Sequence, residues 1–525
     1  MTRTIHLRTR NAVALLSAFT LFAAGCGSDK KSTATTALPA TTVVTASTVA
    51  PATTAGSGST AGTDSTVAGG SAPAGTSPAG TSPAGTSPAG TSPAGTAGCP
   101  AIDSSIDAAE GLDAGRFLSD LACADKAPLK AVGAPISIGF QNPEGDPNGS
   151  FPEATLAAQA AVEYINNELG GLGADIQNGK PGRPVKLEVC KMAISPDDSQ
   201  RCANEISAKS PALAISSFNF FGNQFPIYAA AKIPVIVGSP VTIGDYTSPG
   251  VYAIGGGGGC LGAHTALMYF ATHQLKGKKI GIPWADTPPG VVCYYDLEAK
   301  PLDVLIGKVK STSKEAGTMP DLTYLGVPIK PATPDITAQI TQILDFKPDV
   351  ITFSAQAADC WNLVSVLGRL GWTPDKIPLV MTGACVDLAA MRAAGNLAKG
   401  VYFITSGSGV LSDPATSTNV RAKAEAINYQ TKPEQYGLAK DTSTTGFATL
   451  GWGTMMSLWE VSSQVAVSGQ AVTGDSISAF YKATTNEHDY ASTPLACAKA
   501  PTPYVAVCNS DATVSQWDGT NLVQV

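Results

Sequence analysis

The sequence predicts an α/β protein of two lobes, and three observations lead there. Short apolar strand candidates alternate with helical stretches, the order expected of parallel sheets covered on both faces. The alternation comes in two runs, separated by a glycine-rich junction near 255–278. The portion able to pack, residues 99–525, is long enough for two domains rather than one.

In chain order, residues 1–25 read as a secretory signal. Arg3, Arg8 and Arg10 precede an uncharged stretch, 12–25, too short to span a bilayer. The small residues Ala23, Ala24 and Gly25 before Cys26 resemble a bacterial lipobox, which implies cleavage before Cys26 and lipidation of its thiol. Residues 26–98 then make a lipid-anchored, disordered tether, rich in Ser, Thr, Ala, Gly and Pro and ending in "SPAGT" repeats from Ser77 to Thr96. Such a composition buries too little apolar surface to offset the entropy of ordering.

The first lobe opens within 99–265. Residues 136–140 alternate as a strand, and Asn142, Pro143 and Gly145 break it. In the following helix Leu156, Ala160, Tyr164 and Ile165 form a buried stripe before Gly170 and Gly171 stop it. "VKLEVCK", a helix near 196–210, "ALAISSF", a helix near 225–231 and "IPVIVGS" repeat the unit. The second lobe, 266–404, follows a helix at 262–275. It runs through "KKIGIPWAD", a helix at 292–309, "DLTYLGVPI", a helix at 333–346, "PDVITFSA", a helix at 361–370 and "IPLVMTG". "GVYFITSG" at 400–407 marks a second crossing. Helices at 419–430 and 445–467 return 405–485 to the first lobe, and 486–525 complete the second as a disulfide-bearing tail with a strand near 504–508.

Charge and cysteine content narrow the function. With 34 Lys and Arg against 41 Asp and Glu, a net charge of −7 and no basic cluster, nucleic acid is excluded as a partner. Beyond Cys26 stand Cys99, Cys123, Cys190, Cys202, Cys260, Cys293, Cys360, Cys385, Cys497 and Cys508, an even set that allows up to five disulfides in an exported chain. Nearest-neighbour pairing is the working expectation. Without a C-x-x-C, and with only His264, His273 and His488 after the leader, no structural metal is expected.

The phrases "DDSQRCANEI", "FPIYAAAKIPVIVGSP", "KGKKIGIPWAD", "FKPDVITFSAQAAD", "LGRLGWTPDKIPLVMTG" and "AAGNLAKGVYFIT" occur in an order that resembles type I periplasmic solute-binding proteins. The resemblance spans most of 135–467 and is nearest to the branched-chain amino acid binders of ABC importers. It implies a two-lobed type I periplasmic-binding-protein fold with an inter-lobe ligand cleft, and a partner ABC permease that itself uses the ATP.

Ligands of open α/β sheets meet the loops beyond the carboxyl ends of strands. That places Ser216, Ser217 and Asn219 of "ISSFNFFG", Ser239 of "VIVGSPVTIGD" and Asn142 of the first loop at the cleft, with Glu153 a weaker choice. The resemblance adds Thr242, where related binders hold a ligand carboxylate. From the opposite lobe, Trp284 offers a flat contact, and Asp286, Gln356 and Asp359 offer groups for an amine or amide. Each has a plainer use as a helix cap or core residue.

Departures from the resembled pattern bear on specificity. In "GGGGGC" the acid that related binders use for an ammonium is replaced near Gly258, whose backbone is then the candidate contact. A tyrosine is replaced by "TPPG", and a second acid is missing near Gly383. No dinucleotide-binding context surrounds the glycines and no G-x-S-x-G elbow is present, so neither a cofactor nor an enzyme is expected. The sequence thus reads as an extracytoplasmic lipoprotein that captures a small polar solute, an amino acid or amide, for an ABC importer. The alternative is a surface sensor built on the same fold.

Overall fold

The computed structural model describes residues 128–525 apart from 256–258, 406–407, 418 and 510. The signal segment, Cys26, the tether, Cys99, Cys123 and Gly258 lie outside the described residues. All described residues fall in one compact unit.

Two sheets divide that unit into lobes. The first holds β1 (Ile136–Pro143), β2 (Val185–Met192), β3 (Leu213–Phe218), β4 (Val235–Ser239) and β5 (Val251–Ala253) in the order β2-β1-β3-β4-β5. Every pairing in it is parallel. β3 and β4 are buried along their whole lengths, as strands covered on both faces must be. The second holds β6 (Lys279–Ala285), β7 (Thr323–Ile329), β8 (Val350–Phe353), β9 (Leu379–Thr382), β10 (Tyr402–Thr405), β11 (Thr513–Trp517) and β12 (Leu522–Gln524), in the order β12-β11-β10-β9-β8-β6-β7. Only the β10/β11 and β11/β12 pairings are antiparallel. In each sheet the strand order reverses beside the lobe's first strand, between β1 and β3 and between β6 and β8. The crevice at such a switch point is where ligands of open α/β sheets bind.

The helix Pro152–Asn167 and the helix Gly446–Val467 pack closely in the first lobe. A Cβ on Gly451 would overlap the carbonyl oxygen of Ala154. Small side chains at Ala154, Ala157, Ala158 and Ala161 therefore fill the first helix's inner face. This corrects the expected stripe at one place: Leu156 points outward and is 48% exposed. Trp452, Met455, Met456, Leu458 and Trp459 of the long helix are fully buried, and the Trp459 Nε1–H donates to Leu169 O at 3.2 Å. Among the described residues no helix is long and apolar enough to cross a membrane.

The tail also differs from expectation. Residues 504–508 form no strand; Val507 makes a single bridge to Ala253 at the edge of the first sheet. Pro501 and Pro503 remove backbone donors there. The β11–β12 hairpin finishes the second sheet instead, turning through Asp518 and Gly519. Asp518 Oδ1 accepts the amides of Thr520 and Asn521, both at 2.7 Å.

Disulfides join Cys190 to Cys202, Cys260 to Cys293, Cys360 to Cys385 and Cys497 to Cys508, so the nearest-neighbour pairing holds for every described cysteine.

Candidate functional site

The carboxyl ends of strands from both sheets converge on a cleft with an empty volume of about 780 Å3, its open mouth included. From the first lobe come the loop after β1, with Asn148, Gly149 and Phe151, and the ends of β3 and β4, with Phe218, Phe220, Ser239 and Val241. The second lobe contributes Ala285 and Thr287 after β6, Pro331 after β7, Ser354 to Gln356 after β8, and Thr382 and Ala384 after β9. The helix Cys260–Tyr269, which leads from one lobe to the other, adds Cys260, Ala263 and His264.

The two walls differ in chemistry. On the first lobe, Phe151 stacks on Phe218 with ring centroids 4.5 Å apart, and Phe447 meets Phe218 edge-on at 4.3 Å. Phe220 lies 6.5 Å from Phe151. These four rings form one aromatic wall. The second lobe presents polar groups: the Ser354 and Thr382 hydroxyls are 2.8 Å apart, and the Gln356 Nε2–H donates to Asp359 Oδ2 at 3.2 Å. The Ala332 amide donates to Asp359 Oδ1 at 2.9 Å, so both carboxylate oxygens have protein partners. Thr287 caps the helix Pro288–Tyr294 by accepting the Gly290 amide at 3.1 Å, which brings the "TPPG" loop to the cleft edge.

Cys260, Cys293 and His264 place two sulfurs and an imidazole nitrogen within 4.8 Å of one another at the cleft wall. The sulfurs are spent in a disulfide, and His264 Nδ1 lies 2.6 Å from Glu298 Oε1.

Of the residues expected at the site, Ser239, Gln356 and Asp359 line the cleft. Gly258 lies outside the described residues, and the remaining residues are not among those that line the cleft. Ser216 accepts from Gln141 Nε2 at 3.1 Å and donates to Asn219 Oδ1 at 2.9 Å. Asn219 donates to Asp245 Oδ1 at 2.6 Å, and Ser217 donates to Asn142 Oδ1. Asn142 in turn donates to Phe151 O at 2.7 Å. These side chains are buried inside the first lobe and satisfy one another. Thr242 forms a capping box with Asp245 at the start of the helix Ile243–Thr247. Trp284 stacks on Tyr294 at 5.0 Å within the second-lobe core, and Asp286 is exposed beyond β6. Glu153 sits in the first turn of its helix, where burial pushes its carboxyl up to about 7.

The segment "ISSFNFFG" brings Phe218 and Phe220 to the cleft, while Ser216, Ser217 and Asn219 are hydrogen-bonded inside the lobe. Ser217 at the end of β3 donates to Asn142 Oδ1, and its neighbour Phe218 lines the cleft, as alternation along a strand requires. The glycine run has a packing reason at both described ends. A Cβ at Gly255 would overlap Gly238 O, and one at Gly259 would overlap Pro240 O.

A match to the family described as periplasmic binding protein covers residues 135–479, more than half of the chain. The chain belongs to the periplasmic binding protein family. Members of this family are characteristically extracytoplasmic solute carriers without catalytic activity, and the two lobes flanking a cleft have the form that role requires. Among solved structures, a leucine binding protein from Thermotoga maritima is 14% identical, with a TM-score of 0.51, and covers 74% of this chain and 97% of its own. An ABC transporter solute-binding protein from R. palustris in complex with 4-hydroxybenzoate is 16% identical, with a TM-score of 0.52, and covers 74% of this chain and 95% of its own. A fatty acid ABC transporter substrate-binding protein from Thermomonospora curvata is 16% identical, with a TM-score of 0.52, and covers 76% and 93%. At these identities the likeness speaks to the fold. No curated protein matches the chain in sequence.

Proposed function

We propose that this binding protein captures a small solute with an apolar, ring-sized body and delivers it to an ABC importer. The observation that carries the reading is the wall of Phe151, Phe218, Phe220 and Phe447 facing the polar groups of Ser354, Gln356 and Thr382. A ring would lie against the aromatic wall, and a polar substituent would take hydrogen bonds from the other lobe. Contacts to both walls favour the closed arrangement of the lobes over the open one. This departs from the small polar amino acid or amide expected from the sequence, because the Asp359 oxygens are already engaged. In support of this reading, one similar structure is a solute-binding protein in complex with 4-hydroxybenzoate and another is named a fatty acid ABC transporter substrate-binding protein. Lipidation of Cys26 and the tether belong to the same proposal, holding the binder near its permease on the outer side of the membrane.

Thermal unfolding of the oxidised protein against aromatic acids, aromatic alcohols, leucine and small amides tests the reading, since a ligand of the native state raises the transition temperature. Ring-bearing solutes are expected to produce the shift, and Phe447→Ala to remove most of it. A shift only with small amides would return the assignment to a polar solute. Replacing Cys26 by Ser is expected to release the protein into the medium.

A further inference from the structure

Adjoining the cleft is a second cavity, with an empty volume of about 660 Å3 including its opening. It shares Ser239, Ala384 and Phe447 with the first, so Phe447 stands between the two. Gly255 and Gly383 contribute no side chains to its lining, which leaves room. The first cleft's acid, Asp359, has protein partners on both oxygens, whereas this cavity carries a second acid, Asp489, 3% exposed, in a segment beyond the part of the chain matched to the family.

The charges around Asp489 are unevenly matched. His488 Nε2 lies 2.9 Å from Glu425 Oε1, and His488 Nδ1 lies 3.3 Å from Glu460 Oε1. Arg421 adds positive potential toward both of these glutamates. The carboxylate of Asp489 instead accepts a hydroxyl, that of Ser457. Burial pushes Asp489 up to about 8, with Glu460 and Glu425 adding to the rise, while the Ser457 hydrogen bond and His488 oppose it. Tyr481, on the helix Gly474–Ala483, also feels its charge.

We propose that this second cavity is an ammonium subsite in which Asp489 receives the protonated amine of a solute whose apolar body lies against the phenylalanine wall. The inference rests on the apolar-body reading above and narrows it to apolar amines. A buried acid without a countercharge is held neutral, and a cation beside it restores its ionised form. Binding therefore releases the proton of Asp489 to solvent while the amine keeps its own. Thr449, Thr454 and Ser492 line the same space, the Thr449 and Thr454 hydroxyls donating to Gly446 O and Leu450 O of their own helix.

Calorimetry with benzylamine, benzyl alcohol and benzoate on the full oxidised protein tests this. Benzylamine is expected to bind at least about tenfold more tightly than benzyl alcohol at pH 8.5. Its affinity should weaken by about tenfold per unit as pH falls below about 8. Proton release should appear as a dependence of the heat on buffer ionisation enthalpy. Asp489→Asn is expected to abolish the preference for the amine over the alcohol and the proton release. If the alcohol or benzoate binds and the amine gains nothing, the ammonium subsite is overturned and the apolar-body reading stands. If wild-type protein binds none of the three, the reading beneath it fails as well. Should Asp489→Asn fold poorly, the wild-type pH profile and proton release decide alone, and a flat profile overturns the inference.

Discussion

Asp245 and Asp489 are both buried carboxylates, and they differ in the donors they are given and in the charges beside them. Asp245 collects four donors: Asn219 Nδ2 at 2.6 Å, the Val241 amide at 2.9 Å, the Thr242 amide at 2.6 Å and the Thr242 hydroxyl at 3.0 Å. Burial pushes it up, and those donors hold it at about 6. Asp489 has the hydroxyl of Ser457 and stands at about 8. A buried acid supplied with donors is part of the scaffold. One left short of them at a cavity wall is suited to a ligand.

The comparison breaks first at Asp245. Asp245→Ala strands two backbone amides and the Asn219 amide, and is expected to cost about 3 kcal/mol by urea unfolding. Wild-type stability in that variant would mean the network does not support the first lobe. The same scaffold logic applies to Trp284, stacked in the second-lobe core: Trp284→Leu should lose about 2 kcal/mol with no change in ligand affinity. A change in affinity with intact stability would restore it to the site.

A third measurement separates the two acids by pH. Both have folded pKa values raised above those of the unfolded chain, so folding takes up protons and stability falls as pH rises. The loss runs from about 4 through about 6 for Asp245, and continues through about 8 for Asp489. His488 contributes in the same direction over a higher range. Burial alone would lower its pKa, but Glu460 and Glu425 raise it to about 10, so its stabilisation is full below about 6.5 and lost through 10. Between pH 6 and 8, Asp489→Asn should flatten the unfolding free energy by about 1 kcal/mol per unit relative to wild type. An unchanged slope would show that Asp489 is ionised in the unliganded fold. The smallest effect is expected at Thr242, where loss of the capping hydroxyl in Thr242→Ala costs about 1 kcal/mol and leaves binding untouched.

These tests also mark where sequence reasoning reached and where it stopped. The two α/β runs were legible because apolar strands and periodic helices are local patterns, and the disulfide partners because each pair closes a short loop. The loops that build the cleft were legible from strand order alone. Which residues in those loops face the ligand was not. Ser216, Ser217 and Asn219 look like ligand contacts in a string of letters, but their partners, Gln141, Asn142 and Asp245, come from distant segments. Phe218 beside Ser217 was readable as the opposite face of the same strand. Asp489 had no local signal, since its setting is made by the long helix and by Glu425 and His488. The β11–β12 hairpin did carry one, an Asp-Gly turn between two apolar runs.

The Cys260–Cys293 disulfide has a mechanical consequence. Cys260 is the first residue of the helix leading out of the first lobe, and Cys293 lies on the helix following the second lobe's first strand. The covalent link rivets the connecting helix to the second lobe, and Leu267 and Met268 glue its far end to the same core. The Cys260 amide also donates to Pro240 O and the Leu261 amide to the Tyr246 hydroxyl oxygen, both at 2.9 Å, so the start of that helix is a clamp with one jaw in each lobe.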